Sequence, residues 1–252
     1  MTAFFNTTGG ILSLFFQSLY WCRDAVWNFD KILFQINEIG NNTLPVATLI
    51  ALSSGAVLSL QSGPTLASFG IEENLGSIVG LSMVKEIGPI MGAILVAGRV
   101  GSAMAAEIGS MSVYDEIDAL KTMNINPVRF LVMPRFLATI LSLPVLVIFM
   151  VVVGWFGGAV VASINPEISL SMQVYFRNLA DFVTVKALFN GLIKSFIFGI
   201  IISIVSCYVG LGTKGGPREI GNSVTKAVVL SFILVLVSDY FITRILLFFN
   251  LD

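Results

Sequence analysis

The sequence predicts an all-α membrane protein: an amphipathic helix lying at the membrane interface, followed by five transmembrane helices. Three observations carry this. Of 252 residues, 56% are hydrophobic and only 12% charged, about half the charged share of a soluble domain, and the mean hydropathy is +0.92. Five apolar runs approach or exceed the roughly 20 residues a spanning helix needs. The segment before them carries a polar stripe at helical spacing. The same composition excludes other classes. Fourteen basic and fifteen acidic residues give a net charge of −1, which leaves no cationic surface for nucleic acid. There is no histidine, so His-based acid–base catalysis, Ser-His-Asp triads and His-ligated metals are ruled out. Cys22 and Cys207 are too few for a metal knuckle or a disulfide framework and read as small apolar fillers.

In residues 1–42, Gln17, Asp24, Asn28, Lys31, Gln35 and Glu38 recur at steps of 7, 4, 3, 4 and 3. They form one polar stripe on a helix whose other faces hold Leu14, Phe15, Trp21, Trp27, Leu33 and Phe34. Such a helix lies in the interface plane; a tilted sixth span is the alternative. No basic residue precedes the apolar stretch and no cleavage site follows it, so a signal peptide is not expected. The spans follow at roughly 44–61, 78–106, 132–163, 187–212 and 227–249. The second is interrupted by Lys85, Glu86 and Arg99; the third has no charge from Phe136 to Pro166, with a kink expected at Pro144. The fourth carries Lys194 and the fifth Asp239 and Arg244.

Five spans place the termini on opposite sides. Arg23, Lys31, Lys121, Arg129, Arg135, Lys214, Arg218 and Lys226 fall on one side and only Arg177 and Lys186 on the other. The positive-inside bias therefore predicts a cytoplasmic N-terminus, cytoplasmic 107–135 and 213–226 loops and a periplasmic C-terminus. Gly76, Gly80, Gly88 and Gly92, spaced by four or its multiples, give a small-residue face on which another helix packs closely. After Glu107 the apolar run ends. Ser112 with Asp115 reads as an N-cap and capping box, and Val113, Ile117, Leu120 and Met123 form an apolar stripe beside Asp115, Glu116, Asp118 and Lys121. Asn124-Ile125-Asn126-Pro127 stops this helix. A short acidic amphipathic helix over 112–123 is the expectation; alone it is marginal, and it either lies on the membrane or docks into another protein.

The run EIGPIMGAILVAGRVGSAMAAEIGSM at Glu86–Met111, the acidic helix containing Ile117-Asp118-Ala119-Leu120, the Asn126-Pro127 and Pro134-Arg135 pairs, and GGPREIGNSVTKAV at Gly215–Val228 together resemble the MlaE/YrbE permease family, over essentially the whole chain as a single domain. The resemblance implies the MlaE-type ABC permease fold, a homodimer, a separate cytoplasmic ABC ATPase, an MCE-domain protein on the far side, phospholipid as substrate and a bacterial inner membrane. The N-terminus lacks the Arg/Ser enrichment of a plastid transit peptide, in line with that location. The sequence holds no G-x(4)-G-K-[ST] run, so this chain is read as a transport subunit and not an enzyme. It has no cofactor of its own; ATP and Mg²⁺ belong to the partner ATPase. By the same resemblance the 112–123 helix is the coupling helix, with Glu107, Ser110 and Met111 leading into it, its apolar stripe (Leu120 included) docked in the ATPase and Asp115, Glu116 and Asp118 facing basic rim residues. Gly215, Pro217 and Arg218 touch the same partner more weakly.

Charges inside spans mark function by default, because burying them in hydrocarbon costs several kcal/mol. Lys85, Glu86 and Lys194 fall at similar depth. Either they neutralise one another or snorkel, or they meet a lipid head group in a cavity between two copies; in the resembled family the matching positions line the lipid pocket. Phe69 is the aromatic candidate for the same wall, or an interface anchor. Arg99 is read as a structural tie. Asp239 and Arg244, five apart, are poorly placed to pair along one helix, so partners on other helices are expected and no function is assigned to them. Two other classes compete. An intramembrane enzyme needs a nucleophile or metal site the chain does not bring together, and an ion-coupled secondary transporter usually shows an internal repeat, which is absent here.

Overall fold

The computed structural model describes residues 2–168 and 170–248, with side chains throughout except at 2–6 and 25–27. The side chain of Trp27 and the end of the fifth span at 249 lie outside this description. The elements are α1 (Thr2–Trp21), a 3₁₀ segment (Cys22–Asn28), α2 (Phe29–Ser68), α3 (Glu72–Val113), α4 (Glu116–Thr122), α5 (Val128–Ile164), α6 (Met172–Phe182), α7 (Val185–Leu211) and α8 (Pro217–Phe248). No strand occurs among the described residues. Five of these helices, α2, α3, α5, α7 and α8, are long and apolar enough to cross a membrane. The all-α membrane architecture with a separate N-terminal helix is thus observed.

Two helices carry π turns: α3 at Met83–Ile87 and Ala97–Gly101, and α5 at Val128–Val132. A π turn inserts one residue into the helical ladder and re-aims the side chains around it, and such turns concentrate at functional sites. Both turns of α3 contain charged residues of the second span: Lys85 and Glu86 in the first, Arg99 in the second.

Residues 1–42 do not form one helix with one polar stripe, as the sequence spacing predicts. The chain breaks into the 3₁₀ segment and restarts at Phe29, so that 29–42 are continuous with the first span. The break is held from outside: Arg129 Nε sits 2.9 Å from Asp24 Oδ2, a contact invisible to local periodicity. Within α1, Leu14 is buried while Leu12, Phe16, Leu19 and Tyr20 are more than half exposed, the profile of a helix with an apolar outward face.

The chain divides into two compact units. The first comprises Met1–Asn42, Ala93–Leu143 and Phe196–Ser238. Its core joins Leu14 of α1, Ile108 of α3, Ile117 of α4, Leu131, Phe136 and Ile140 of α5, and Ile204 and Cys207 of α7. The second comprises Thr43–Gly92, Pro144–Ser195 and Asp239–Asp252, with a core of Leu75, Val79 and Met83 of α3, Ala159 and Ala162 of α5, and Tyr175 and Leu179 of α6.

In the second unit the small-residue face of α3 packs against this chain's own helices. A Cβ at Gly76 meets the Tyr175 carbonyl, and one at Gly80 meets Leu179 at 3.0 Å, both on α6. Cβ atoms at Gly88 and Gly92 meet Val151 and Val147 of α5 at 2.7 and 2.8 Å. The helix α6 has no counterpart in the sequence reading. Ser171 caps it, its hydroxyl accepting from the Val174 N–H at 3.4 Å. Asn178 Oδ1 in turn accepts from the Ser77 N–H near the start of α3 at 2.6 Å. Burial holds the Tyr175 phenol well above its ordinary range.

Candidate functional site

Three spanning helices of the second unit converge on one ammonium. Lys194, on α7, is 2% exposed. Its Nζ lies 2.7 Å from Glu86 Oε1 on the π turn of α3 and 3.0 Å from Asp239 Oδ1 on α8. Only the first of these contacts is a hydrogen bond; Asp239 Oδ1 accepts none and holds the ammonium through charge. Thr243, one turn past Asp239, donates to the Asp239 carbonyl at 2.9 Å and stands 3.5 Å from Glu86 Oε1. Close helix approach makes the geometry possible: a Cβ at Gly191, three residues before Lys194, runs into the Val84 carbonyl of α3.

A lysine this deep is tolerated only when paired, because desolvating one ion costs several kcal/mol. Here two carboxyl groups share the task. Asp239 is largely buried at 16% exposure, whereas Glu86 is 40% exposed. The cluster is therefore closed around the ammonium and open at Glu86. Two carboxylates against one ammonium leave a formal excess of one negative charge, which favours a further cationic group at the open edge. Lys85 precedes Glu86 on the same turn and is half-buried.

Glu86 and Lys194, singled out by sequence, are thus in contact, and Lys85 is adjacent in the chain. Phe69 lies on the turn that ends α2, where its N–H donates to the Leu66 carbonyl at 3.1 Å, and it is 75% exposed. Asp239 was legible as a charge inside a span, but its partner is 45 residues away on another helix, where no spacing rule reaches.

The second candidate surface is the connection from α3 to α5. Ser112 does not cap a helix: α3 continues through Val113, and the Ser112 hydroxyl donates to the Thr213 carbonyl at 2.9 Å. The chain turns at Asp115, which adopts φ +59°, before α4 begins at Glu116. The expected apolar stripe is divided as a result. Val113 belongs to α3, Ile117 is buried in this chain's own core, and Leu120 and Met111 pack half-buried against that core. Ile117 therefore faces this chain's own core and is not free to dock in another protein, which corrects its place in the expected stripe, while Met123 of the same stripe stays exposed. The outward face carries Asp115, Glu116 and Asp118, with Tyr114 61% and Met123 62% exposed beside them. Asp118 pairs with Lys121 at 2.7 Å. Glu107 pairs with Arg135 at 2.8 Å, tying α3 to the start of α5, and Ser110 is half-buried. Tyr114 was not among the sequence candidates for contact, whereas Met123 belonged to the expected stripe; the exposure of both depends on which way α4 rolls.

The family described as Permease MlaE matches residues 32–245, a range holding both surfaces. A probable ABC transporter permease protein of Rickettsia prowazekii is 37% identical over 242 residues, covering 96% of this chain and 93% of its own length. The intermembrane phospholipid transport system permease protein MlaE of Haemophilus influenzae is 31% identical over 244 residues, with the same coverage of each chain. The chloroplastic protein TRIGALACTOSYLDIACYLGLYCEROL 1 of Arabidopsis thaliana is 33% identical over 210 residues, covering 82% of this chain and 59% of its own. On the full-length match and the five apolar helices that carry it, this chain belongs to the MlaE permease family.

Proposed function

We propose that this chain is the membrane subunit of an ABC transporter that moves phospholipid, working as a homodimer with a separate cytoplasmic ATPase and an MCE-domain protein. The observation that carries the reading is the Lys194–Glu86–Asp239 cluster, a charge assembly on three spanning helices with Glu86 left partly open. Charges at membrane depth mark substrate pathways. A zwitterionic head group offers an ammonium for the excess carboxylate and a phosphate for Lys85, while its chains need only apolar walls, to which Phe69 contributes. The printed name of the Haemophilus relative supports phospholipid as the substrate class.

Energy enters through the α3–α5 connection. The exposed Tyr114, Asp115, Glu116, Asp118 and Met123 form an acidic surface with apolar points, suited to a partner groove with a basic rim. Glu107, Ser110, Met111 and Leu120 set the position of that surface from within. ATP and Mg²⁺ bind on the ATPase. Affinity purification of the tagged chain from its native membrane tests the assembly: an ABC ATPase and an MCE protein co-purify with two copies of the chain. Recovery of a single copy with neither partner, and lipid movement that follows an ion gradient and ignores ATP, contradicts it.

A further inference from the structure

A cluster of cations and aromatic rings surrounds the break between α1 and α2, and the phospholipid-transport reading leaves it without a role. Arg23 Cζ lies 4.2 Å from the centre of the Tyr20 ring, Arg129 Cζ lies 5.3 Å from that of Trp21, and Lys31 Nζ lies 3.6 Å from that of Phe130. Asp24 serves two of these cations, at 3.8 Å from Arg23 and 2.9 Å from Arg129. Among the described residues Lys31 has no carboxylate within ion-pair distance, and its contact is the ring face of Phe130. A ring face stabilises an ammonium without accepting its hydrogen bonds along the donor directions, so Lys31 retains donors and charge for an anion.

That ammonium lines a cavity of about 330 Å³ within the first unit, together with Asp30, Phe34, Gln35, Phe130 and Arg135. The volume suits a small polar ligand. Its composition is two-sided: Lys31 and Gln35 offer hydrogen-bond donors, Arg135 being engaged by Glu107 and the Leu131 carbonyl, whereas Phe34 is 65% and Phe130 39% exposed. A site for free phosphate has no use for exposed phenylalanines, but a phosphodiester carrying acyl chains does. Tyrosine, tryptophan and arginine side by side are also the composition that settles at the head-group level of a bilayer.

We propose that this cavity is a lipid site additional to the Lys194 cluster, in which Lys31 takes the phosphodiester of a phospholipid whose chains lie along Phe34 and Phe130. The two sites share no residue. The inference rests on the proposed function only in placing the chain in a membrane, and it is tested without transport.

The full chain in phosphatidylglycerol-containing vesicles, doped with a phosphatidylglycerol bearing a photoactivatable group near the glycerol, is irradiated and the labelled peptides are mapped. The expected result is labelling around Phe130–Pro134, reduced about fivefold by Lys31→Glu, as for one basic residue at a lipid surface, retained in Lys31→Arg, and lost in Phe34→Ser. Inorganic phosphate in excess leaves it unchanged. Lys31 and Phe34 are both exposed, so neither variant disturbs the core. Equal labelling in Lys31→Glu and the wild type overturns the proposal, as does competition by inorganic phosphate, which identifies a free-anion site.

Discussion

Lys194 is the residue on which the second unit turns. Its ammonium is out of water and held by two carboxyl groups on two other helices. Removing one partner of a buried ion pair costs about 3–5 kcal/mol, whereas removing all the charges together is often nearly neutral. Lys194→Met is therefore expected to lower the thermal midpoint of the detergent-solubilised protein steeply, since it leaves Glu86 and Asp239 facing each other. Adding Glu86→Gln and Asp239→Asn recovers most of the loss. A melting series over the single and triple variants measures this, and a triple variant less stable than Lys194→Met refutes the pairing. The sequence exposed each of these charges as a cost inside a span, because hydrocarbon penalises any ion. It did not expose which charges meet. Glu86 and Lys194 are 108 residues apart, and the π turn at Met83–Ile87 shifts the side-chain directions that a regular helix would give.

Among the elements, α4 was legible as a short acidic helix and misread in its direction. The N-cap assigned to Ser112 rested on a local spacing rule, while its hydroxyl is taken by the Thr213 carbonyl across the fold. The left-handed Asp115 then starts the helix later and rolls its apolar face onto Ile108, Leu131 and Phe136. This separates two kinds of variant. Ile117→Ala is expected to cost about 2–5 kcal/mol of stability, as for a buried large-to-small change. Glu116→Lys with Asp118→Lys leaves stability unchanged and breaks association with the ATPase by charge reversal. Thermal melts beside ATPase pull-down check both, and a charge-reversed variant that still binds its ATPase sinks the assignment of this face. The missed helix, α6, illustrates the same limit. Its 11 residues are too short to announce a span, and its partner is the glycine face of α3, whose small residues signalled a close contact without saying with what. A Cβ at Gly76 meets backbone, so that contact does not relax by a rotamer change.

At the scale of the whole molecule, the composition and the five apolar runs sufficed for the fold class, because a bilayer admits few ways to satisfy backbone polar groups and the helix is one of them. The N-terminal boundary was not legible, since the break at Cys22–Asn28 depends on Arg129 reaching Asp24. What the chain does as a whole follows from its family and from a charge cluster that sits at the crossing of three spans. In the proposed function this cluster serves phospholipid movement powered from a partner. The most direct measurement is transfer of labelled phospholipid by the complex of this chain, its ATPase and its MCE protein reconstituted in vesicles, with wild type and Glu86→Lys compared. Transfer that requires ATP hydrolysis in the wild type, and a Glu86→Lys complex that assembles and hydrolyses ATP yet moves lipid at least about tenfold more slowly, an effect of about 1.4 kcal/mol, is the predicted result. Undiminished transfer by Glu86→Lys, or wild-type transfer that proceeds equally without ATP, contradicts the account.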